Sequence, residues 1–373
     1  MKMIYEDILD SLRKEYRLRV IPASQHGFDL ISNDYMGLAA RSREFEEEFK
    51  KRRADIPNSA SASRLLQRDQ SIHNRLEEHL NDLYGKHTLL MNSGYHANVG
   101  ALSSLSIPGT LIVSDKLIHA SMIDGIRLGK GDSARFAHND MDMLRKILVN
   151  KAAQYRCVII AVESVYSMDG DLAPLKELVE IKKEFPNTLL YVDEAHAFGV
   201  FGERGLGLAE ELGLLPEIDI LIVTLGKAAA GYGAFIATSD KLHSYFVNCA
   251  RSFIFSTALP PSMIEWNALM IEKLLEMKDE RKRLHELSAW FRGEVKNITG
   301  KECQSRSQII PIHAGRAEKA IAMAEALRNE GIDALPIRRP TVAAGTERLR
   351  LSLSAAHTRE MLTKVIESIK NCF

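Results

Sequence analysis

Six short, unbroken apolar runs constrain the fold more than any other feature of this chain. They are TLLMN (88–92), TLIVS (110–114), CVIIAVE (157–163), TLLYVD (188–193), DILIVT (219–224) and GAFIAT (233–238). Continuous runs of this length read as strands buried on both faces. Most are separated by helix-like segments such as Asn139–Asn150 and Pro174–Phe185. A helix is also predicted over Gln70–Tyr84, with Ile72, Leu76, Leu80 and Leu83 on one face. This alternation predicts an α/β fold with a mostly parallel central sheet and helices on both sides. After residue 260 the pattern changes. Pro260–Lys296 reads as one long helical stretch. QIIPI (308–312), a helix over Arg316–Asn329, RLRLSL (348–353) and a helix near Thr358–Lys370 follow. The expected organisation is an N-terminal helix and arm over 1–40, a large domain over 41–265 and a small α+β domain over 266–373. In the first segment Tyr5, Ile8, Leu9, Leu12 and Tyr16 recur at helical spacing, which predicts an amphipathic helix docking on another surface.

Charge and cysteine usage exclude several functions. Lys+Arg and Asp+Glu are both 49, so no global basic field points to nucleic acid or an anionic membrane. Cys157, Cys249, Cys303 and Cys372 form no CxxC pair, which argues against a metal site or a disulfide framework. A reducing, cytoplasmic setting is expected. The N-terminus carries acids where a signal peptide needs cations, and no run approaches the ~18 apolar residues of a membrane span.

In open α/β sheets, ligands collect at the carboxyl ends of strands. TLLYV ends in Asp193-Glu194-Ala195-His196, and DILIVT runs into Leu225-Gly226-Lys227. TLIVS is followed by Asp115 and His119, CVIIAVE ends at Glu163, and TLLMN runs into Ser93-Gly94-Tyr95. Alone, Asp193 would be a helix cap and His119 a packed or surface histidine. Together on one edge they supply the parts of a pyridoxal-phosphate (PLP) site. Lys227 provides the amine for a Schiff base. Asp193 faces the pyridine nitrogen, His119 stacks on the ring, and the Gly94-Tyr95 turn suits the phosphate. Thr224 and Ser167 add hydroxyl donors, and His196 reaches the phenolic oxygen.

The order of the motifs resembles one family. SNDYMGLA (32–39), NSGYHAN (92–98), FAHND (136–140), YSMDGDLAPL (166–175), VDEAHAFGVFGERGLG (192–207), VTLGKA (223–228), FSTALPP (255–261) and RRPTVAAGTERLRLSLSAAH (338–357) resemble the α-oxoamine synthases of PLP fold type I over nearly the whole chain. The resemblance implies decarboxylative condensation of an amino acid with an acyl thioester. FAHND and PTVAAGT look most like the branch that takes L-alanine and a pimeloyl thioester, on coenzyme A or acyl carrier protein. It implies catalytic roles for Lys227, Asp193, His119 and His196, and cofactor contacts from Gly94, Tyr95, Ser167 and Thr224. Ser256 and Thr257 would reach the phosphate of a neighbouring subunit, in a homodimer with shared active sites. Asn33 and Arg350 would hold the amino-acid carboxylate, Thr341 would touch substrate, and Arg17 or Arg19 would face the acyl group.

One segment departs from the family. Where relatives carry a glycine-rich stretch, then Ser-Arg and Ser-Gly, this chain reads NSASASRLLQR (58–68). Alanine and serine do not easily adopt the positive φ open to glycine. The resemblance therefore implies least about the acyl-chain and carrier pocket. Rival readings are sister enzymes that join glycine to acetyl- or succinyl-CoA, and a PLP protein without catalysis. The DEAH sequence at 193–196 matches a helicase box, but no phosphate loop accompanies it.

Overall fold

The computed structural model describes residues 4–21 and 27–372. The expected arm over 1–40 therefore includes two stretches, 1–3 and 22–26, that lie outside the described residues. In chain order the strands are β1 (Phe28–Asp29), β2 (His87–Met91), β3 (Thr110–Asp115), β4 (Asp132–Phe136), β5 (Cys157–Glu163), β6 (Thr188–Asp193), β7 (Ile220–Thr224), β8 (Ala234–Thr238), β9 (Ile309–His313), β10 (Ile332–Asp333), β11 (Leu335–Ile337) and β12 (Arg348–Ser352).

The chain forms two compact units. The larger comprises 36–166 and 172–281; the smaller gathers 1–35, 167–171 and 282–373. The junction falls between Arg281 and Lys282, where the sequence reading put it between 265 and 266, and the N-terminal arm groups with the smaller unit.

The larger unit is built on a seven-stranded sheet in the order β2-β8-β7-β6-β5-β3-β4. The pairs β4–β3, β3–β5, β5–β6 and β6–β7 are parallel, while β8 runs antiparallel to both β7 and β2. Its central strands are apolar because both faces are covered. Ile159, Ile160, Leu190, Tyr191, Ile220, Leu221 and Ile222 are all fully buried. Each such side chain contributes about 1.5–3 kcal/mol of burial free energy. One face carries the helices Gly94–Leu105 and Ala120–Leu128. Gly125 lets them approach closely: a Cβ there would meet the carbonyl oxygen of Asn98 at 2.8 Å. That contact brings the start of the second helix, His119, towards the first.

The smaller unit holds the antiparallel sheet β11-β12-β9 and the parallel pair β1–β10.

Three local expectations change. The edge strand β4 was not among the six apolar runs, since most of DSARF is exposed. The long helix over 260–296 is two helices, Pro261–Glu276 and Lys278–Thr299. The Arg281 guanidinium donates to the carbonyls of Leu274 (2.7 Å) and Leu275 (3.4 Å), which gives two of the first helix's last four acceptors a donor. The N-terminal helix forms over Ile4–Lys14, but it buries none of its residues. Ile4, Tyr5, Ile8 and Leu9 are 68, 69, 51 and 43% exposed, so the expected docking is not made within the described chain.

Candidate active site

The carboxyl edge of the large sheet concentrates ionisable groups. β3 ends at Asp115, β5 at Glu163 and β6 at Asp193, three neighbouring parallel strands each finishing in an acid. Asp193 is buried and fixed on both oxygens. Asn98 Nδ2 donates to Oδ2 at 2.7 Å, and the Ala195 amide donates to Oδ1 at 2.9 Å. Asn98 is itself held: Tyr191 OH donates to its Oδ1 at 2.6 Å, and its Nδ2 also meets Ser121 Oγ at 3.0 Å. Ser121 Oγ lies 2.7 Å from His119 Nδ1, which also accepts the Ser121 amide. His119 thus caps its own helix, and the cap fixes the ring. A hydrogen-bonded chain links Tyr191, Asn98 and Asp193, with Ser121 and His119 branching from Asn98.

Lys227 follows β7 in a turn closed by backbone bonds: Leu225 N to Gly233 O, Gly231 N to Leu225 O and Ala230 N to Lys227 O. None of them uses the lysine side chain. Lys227 is half-buried, with Nζ 3.0 Å from Nε2 of the buried His196. The helix Gly94–Leu105 begins opposite β7, capped by Ser93; a Cβ on Gly94 would lie 3.6 Å from Thr224 Oγ1. The amides of Gly94 and Tyr95 precede the first intrahelical bond and suit an anion. Tyr95 itself is exposed and donates its hydroxyl to Asp124.

The electrostatics separate the groups. His119 opens to solvent on one side, yet desolvation by the surrounding protein holds its imidazole below the ordinary value. Asp193 opposes that shift and Lys227 adds to it. A neutral ring is the better stacking partner. Burial pushes Glu163 well above the usual carboxylate range, with Asp193 adding to the shift. Lys227 and the His119 backbone amide oppose it.

Burial also raises Glu194, to about 7, against donation from Ser164 and the amides of Ala209 and Leu208. A carboxyl raised in the folded state holds its proton there when the unfolded chain has lost it. Stability therefore falls as pH rises from the ordinary value of 4.5 to about 7, by about 3 kcal/mol. Urea denaturation across that window is expected to show a shallower slope in Glu194→Gln than in the wild type. Parallel slopes for the two proteins would refute the assignment.

In the smaller unit Arg350 is 3% exposed. Among the described residues its guanidinium meets only neutral oxygens: Ser167 O at 2.6 Å, Ser352 Oγ at 2.8 Å, Asn33 Oδ1 at 3.1 Å and Tyr35 OH at 3.2 Å. Among the described residues no carboxylate forms an ion pair with it, whereas neighbouring Arg348 pairs with Asp169. Arg19 Nη2 donates to Thr341 Oγ1 at 2.8 Å, while Arg17 pairs with Glu15 at 2.8 Å. Of the two candidate arginines, Arg19 is the one that joins Thr341.

The segment 58–68 packs on the 256–258 stretch within the larger unit. Ser63 bridges Thr257 in antiparallel fashion, and the Ala258 amide donates to Ala62 O. Asn92 Nδ2 donates to Thr257 O at 2.7 Å, and Ser256 lines a small cavity with Arg64, His73 and Asn92. Arg64 pairs with Glu77 at 2.7 Å. Ser61 adopts φ +52°, the left-handed region that costs an L-residue about 1–2 kcal/mol. Its amide and hydroxyl both meet Ser59 Oγ at 3.1 Å, which offsets part of that cost.

Sequence reasoning missed Asn98, Ser121 and Tyr35 as members of these networks. Asn98 closes the NSGYHAN run, and its signal is an amide on a helix face otherwise made of alanine, glycine and leucine. Together the edge groups suit PLP. They offer a primary amine, a fixed carboxylate, an oriented neutral ring and a helix start, and Glu163 Oε1 is a buried oxygen without a hydrogen-bond partner among the described residues.

Comparison with known proteins agrees. The family model for aminotransferase class I and II matches residues 25–369. A Haemophilus influenzae protein with the provisional name 8-amino-7-oxononanoate synthase is 43% identical over 334 residues, covering 89% of this chain and 88% of the relative. A Neisseria meningitidis protein of the same provisional name is 41% identical over 370 residues, covering 96% and 97%. Serine palmitoyltransferase from S. paucimobilis, solved with a bound PLP–myriocin adduct, superposes with TM-score 0.89 at 27% identity, covering 99% and 96%. The 8-amino-7-oxononanoate synthase of Francisella tularensis superposes with TM-score 0.79 at 26% identity, covering 92% and 97%. The chain belongs to the class I and II aminotransferase family, in its α-oxoamine synthase branch, with the PLP-dependent transferase fold and pyridoxal phosphate as its cofactor.

Proposed function

We propose that this protein condenses L-alanine with a pimeloyl thioester, carried by coenzyme A or acyl carrier protein. The products are 8-amino-7-oxononanoate, carbon dioxide and free thiol, a step of biotin biosynthesis in the cytoplasm. The observation that carries the reading is the buried guanidinium of Arg350. A buried charge without an ionic partner is costly, and an amino-acid carboxylate supplies the missing anion. The names of the relatives support the pimeloyl donor.

When bound, PLP supplies an electron sink for the bonds broken at the amino acid's α-carbon. The chain's residues do the rest. Lys227 would hold the cofactor through its amine and would move the α-proton, with Nζ kept beside His196. Asp193 holds a proton at the pyridine nitrogen and stabilises charge that develops in the transition state. His119 packs a flat neutral ring against the cofactor. The Gly94 and Tyr95 amides would hold its phosphate, and the Thr224 and Ser167 hydroxyls would add donors to the cofactor. Ser256 and Thr257 serve the second copy of a homodimer. Arg350, positioned by Asn33, Tyr35 and Ser352, keeps the alanine carboxylate in place until it leaves as carbon dioxide. Thr341 and Arg19 face the acyl group, with Arg17 beside them in sequence.

Arg350→Ala is expected to raise the KM for alanine about 10²-fold, the usual scale for losing one partner of a buried charge pair. The KM of the acyl donor should stay within about threefold, since only the alanine site loses its cation. Equal effects on both substrates would move Arg350 out of this role. The function is tested by competition: alanine, glycine and serine against pimeloyl-, acetyl- and succinyl-CoA, with products weighed by mass spectrometry. A dominant 8-amino-7-oxononanoate mass is expected. A glycine-derived product would transfer the protein to a sister activity.

A further inference from the structure

The three acids at the ends of β3, β5 and β6 are unequally served with donors. Asp115 accepts from Leu117 N (2.7 Å), Asn139 N (2.8 Å) and His138 Nδ1 (3.0 Å). Asp193 accepts from Asn98 Nδ2 (2.7 Å) and Ala195 N (2.9 Å). Glu163, on the strand between them, is 3% exposed and, among the described residues, receives only the backbone amide of His119, its buried Oε1 having no hydrogen-bond partner there.

Glu163 and Asp193 are register partners on β5 and β6. Their side chains therefore leave the sheet on the same face, from strands about 4.8 Å apart. Two buried carboxylates that close do not both ionise, and the proton settles on the one with fewer donors. Asp193 has an N–H on each oxygen, so Glu163 is the one with fewer donors.

We propose that Glu163 is a neutral carboxylic acid in the cofactor site. It is a positioning residue that offers its O–H to the bound cofactor beside Asp193. The inference rests on the reading that Asp193 faces the pyridine nitrogen. The groups acting on Glu163 from the surrounding elements are Asp193 on β6, Lys227 after β7, the His119 amide at its helix start and Asp115 on β3. Burial is the largest influence and favours the acid; the two aspartates act with it, Lys227 and the His119 amide against it. A protonated Glu163 would add a directed hydrogen bond toward the cofactor without adding a negative charge of its own.

Infrared difference spectra between wild type and Glu163→Gln, in apoprotein and holoprotein near neutral pH, test the protonation directly. The carbonyl stretch of a protonated carboxylic acid is expected in the wild type and absent from the variant. A carboxylate band lost in its place would overturn the proposal. PLP titration tests the donor. Glu163→Gln, neutral and able to donate, should bind PLP within about threefold of wild type. Glu163→Leu should bind about tenfold more weakly, the loss expected for one hydrogen bond to a buried group. A leucine variant that binds like wild type would also overturn the proposal. If that variant folds poorly, the infrared comparison decides alone, because it needs only the isosteric amide. The apoprotein band bears on Glu163 only, and α-proton exchange at the wild-type rate in Asp193→Asn bears on Asp193 only, so the two failures are separable.

Discussion

Lys227→Ala is expected to lower turnover by at least about 10⁴-fold, since covalent attachment and the proton carrier are lost together. The protein should still fold. The turn that presents Lys227 is closed by backbone bonds at Leu225, Ala230 and Gly231. Those bonds survive truncation of the side chain, so the melting curve should match the wild type. PLP should still bind without a covalent link, because the Asp193 carboxylate, the His119 ring and the Gly94-Tyr95 helix start are untouched. The check is product mass together with the absorbance of bound PLP, which should lose its lysine-linked form. Full turnover in the variant would remove Lys227 from the mechanism.

Asp193→Asn is expected to cost about 10²–10³-fold in rate while PLP stays bound, the scale for removing one preorganised electrostatic partner. The geometry makes this change more than a loss of charge. Asp193 receives donors on both oxygens. A side-chain amide in its place can accept from only one of them. If its oxygen keeps the Ala195 amide, its nitrogen faces the nitrogen of Asn98. Turning Asn98 over to repair that contact would point its nitrogen at the Tyr191 hydroxyl, which now donates to Asn98 Oδ1 at 2.6 Å. Exchange of the alanine α-proton with deuterated water, followed by NMR, isolates the step. Exchange at the wild-type rate would refute the role of Asp193.

The sequence announced the buried strands plainly because being covered on both faces forces an apolar run. The edge strand β4 gave no such signal, since its outer residues need not be apolar. The break at Met277 was hidden for a different reason. The helical pattern continues across it, and the first helix ends where the Arg281 guanidinium, from the start of the next helix, reaches back to the carbonyls of Leu274 and Leu275. The residues with distinctive chemistry at strand ends were legible one by one. Their supports were not: Asn98 and Ser121 look like ordinary helix residues until the Gly125 contact brings two helices together. The serine-rich 58–68 segment was legible as a departure, and the structure locates its cost at a single residue, Ser61.

The smaller unit is assembled from both ends of the chain and a five-residue middle piece, 167–171. β1 pairs with β10, and the Ser352 amide returns to Leu30 O. The cage around Arg350 draws on Asn33 and Tyr35 from the beginning, Ser167 from the middle and Ser352 from the end. During synthesis the arm therefore has no β-partner until residue 332 has been made, long after the large sheet has all seven of its strands. The Arg350 cage is thus among the last parts of the molecule to close. A chain interrupted anywhere before β12 lacks it, however well its large sheet has formed.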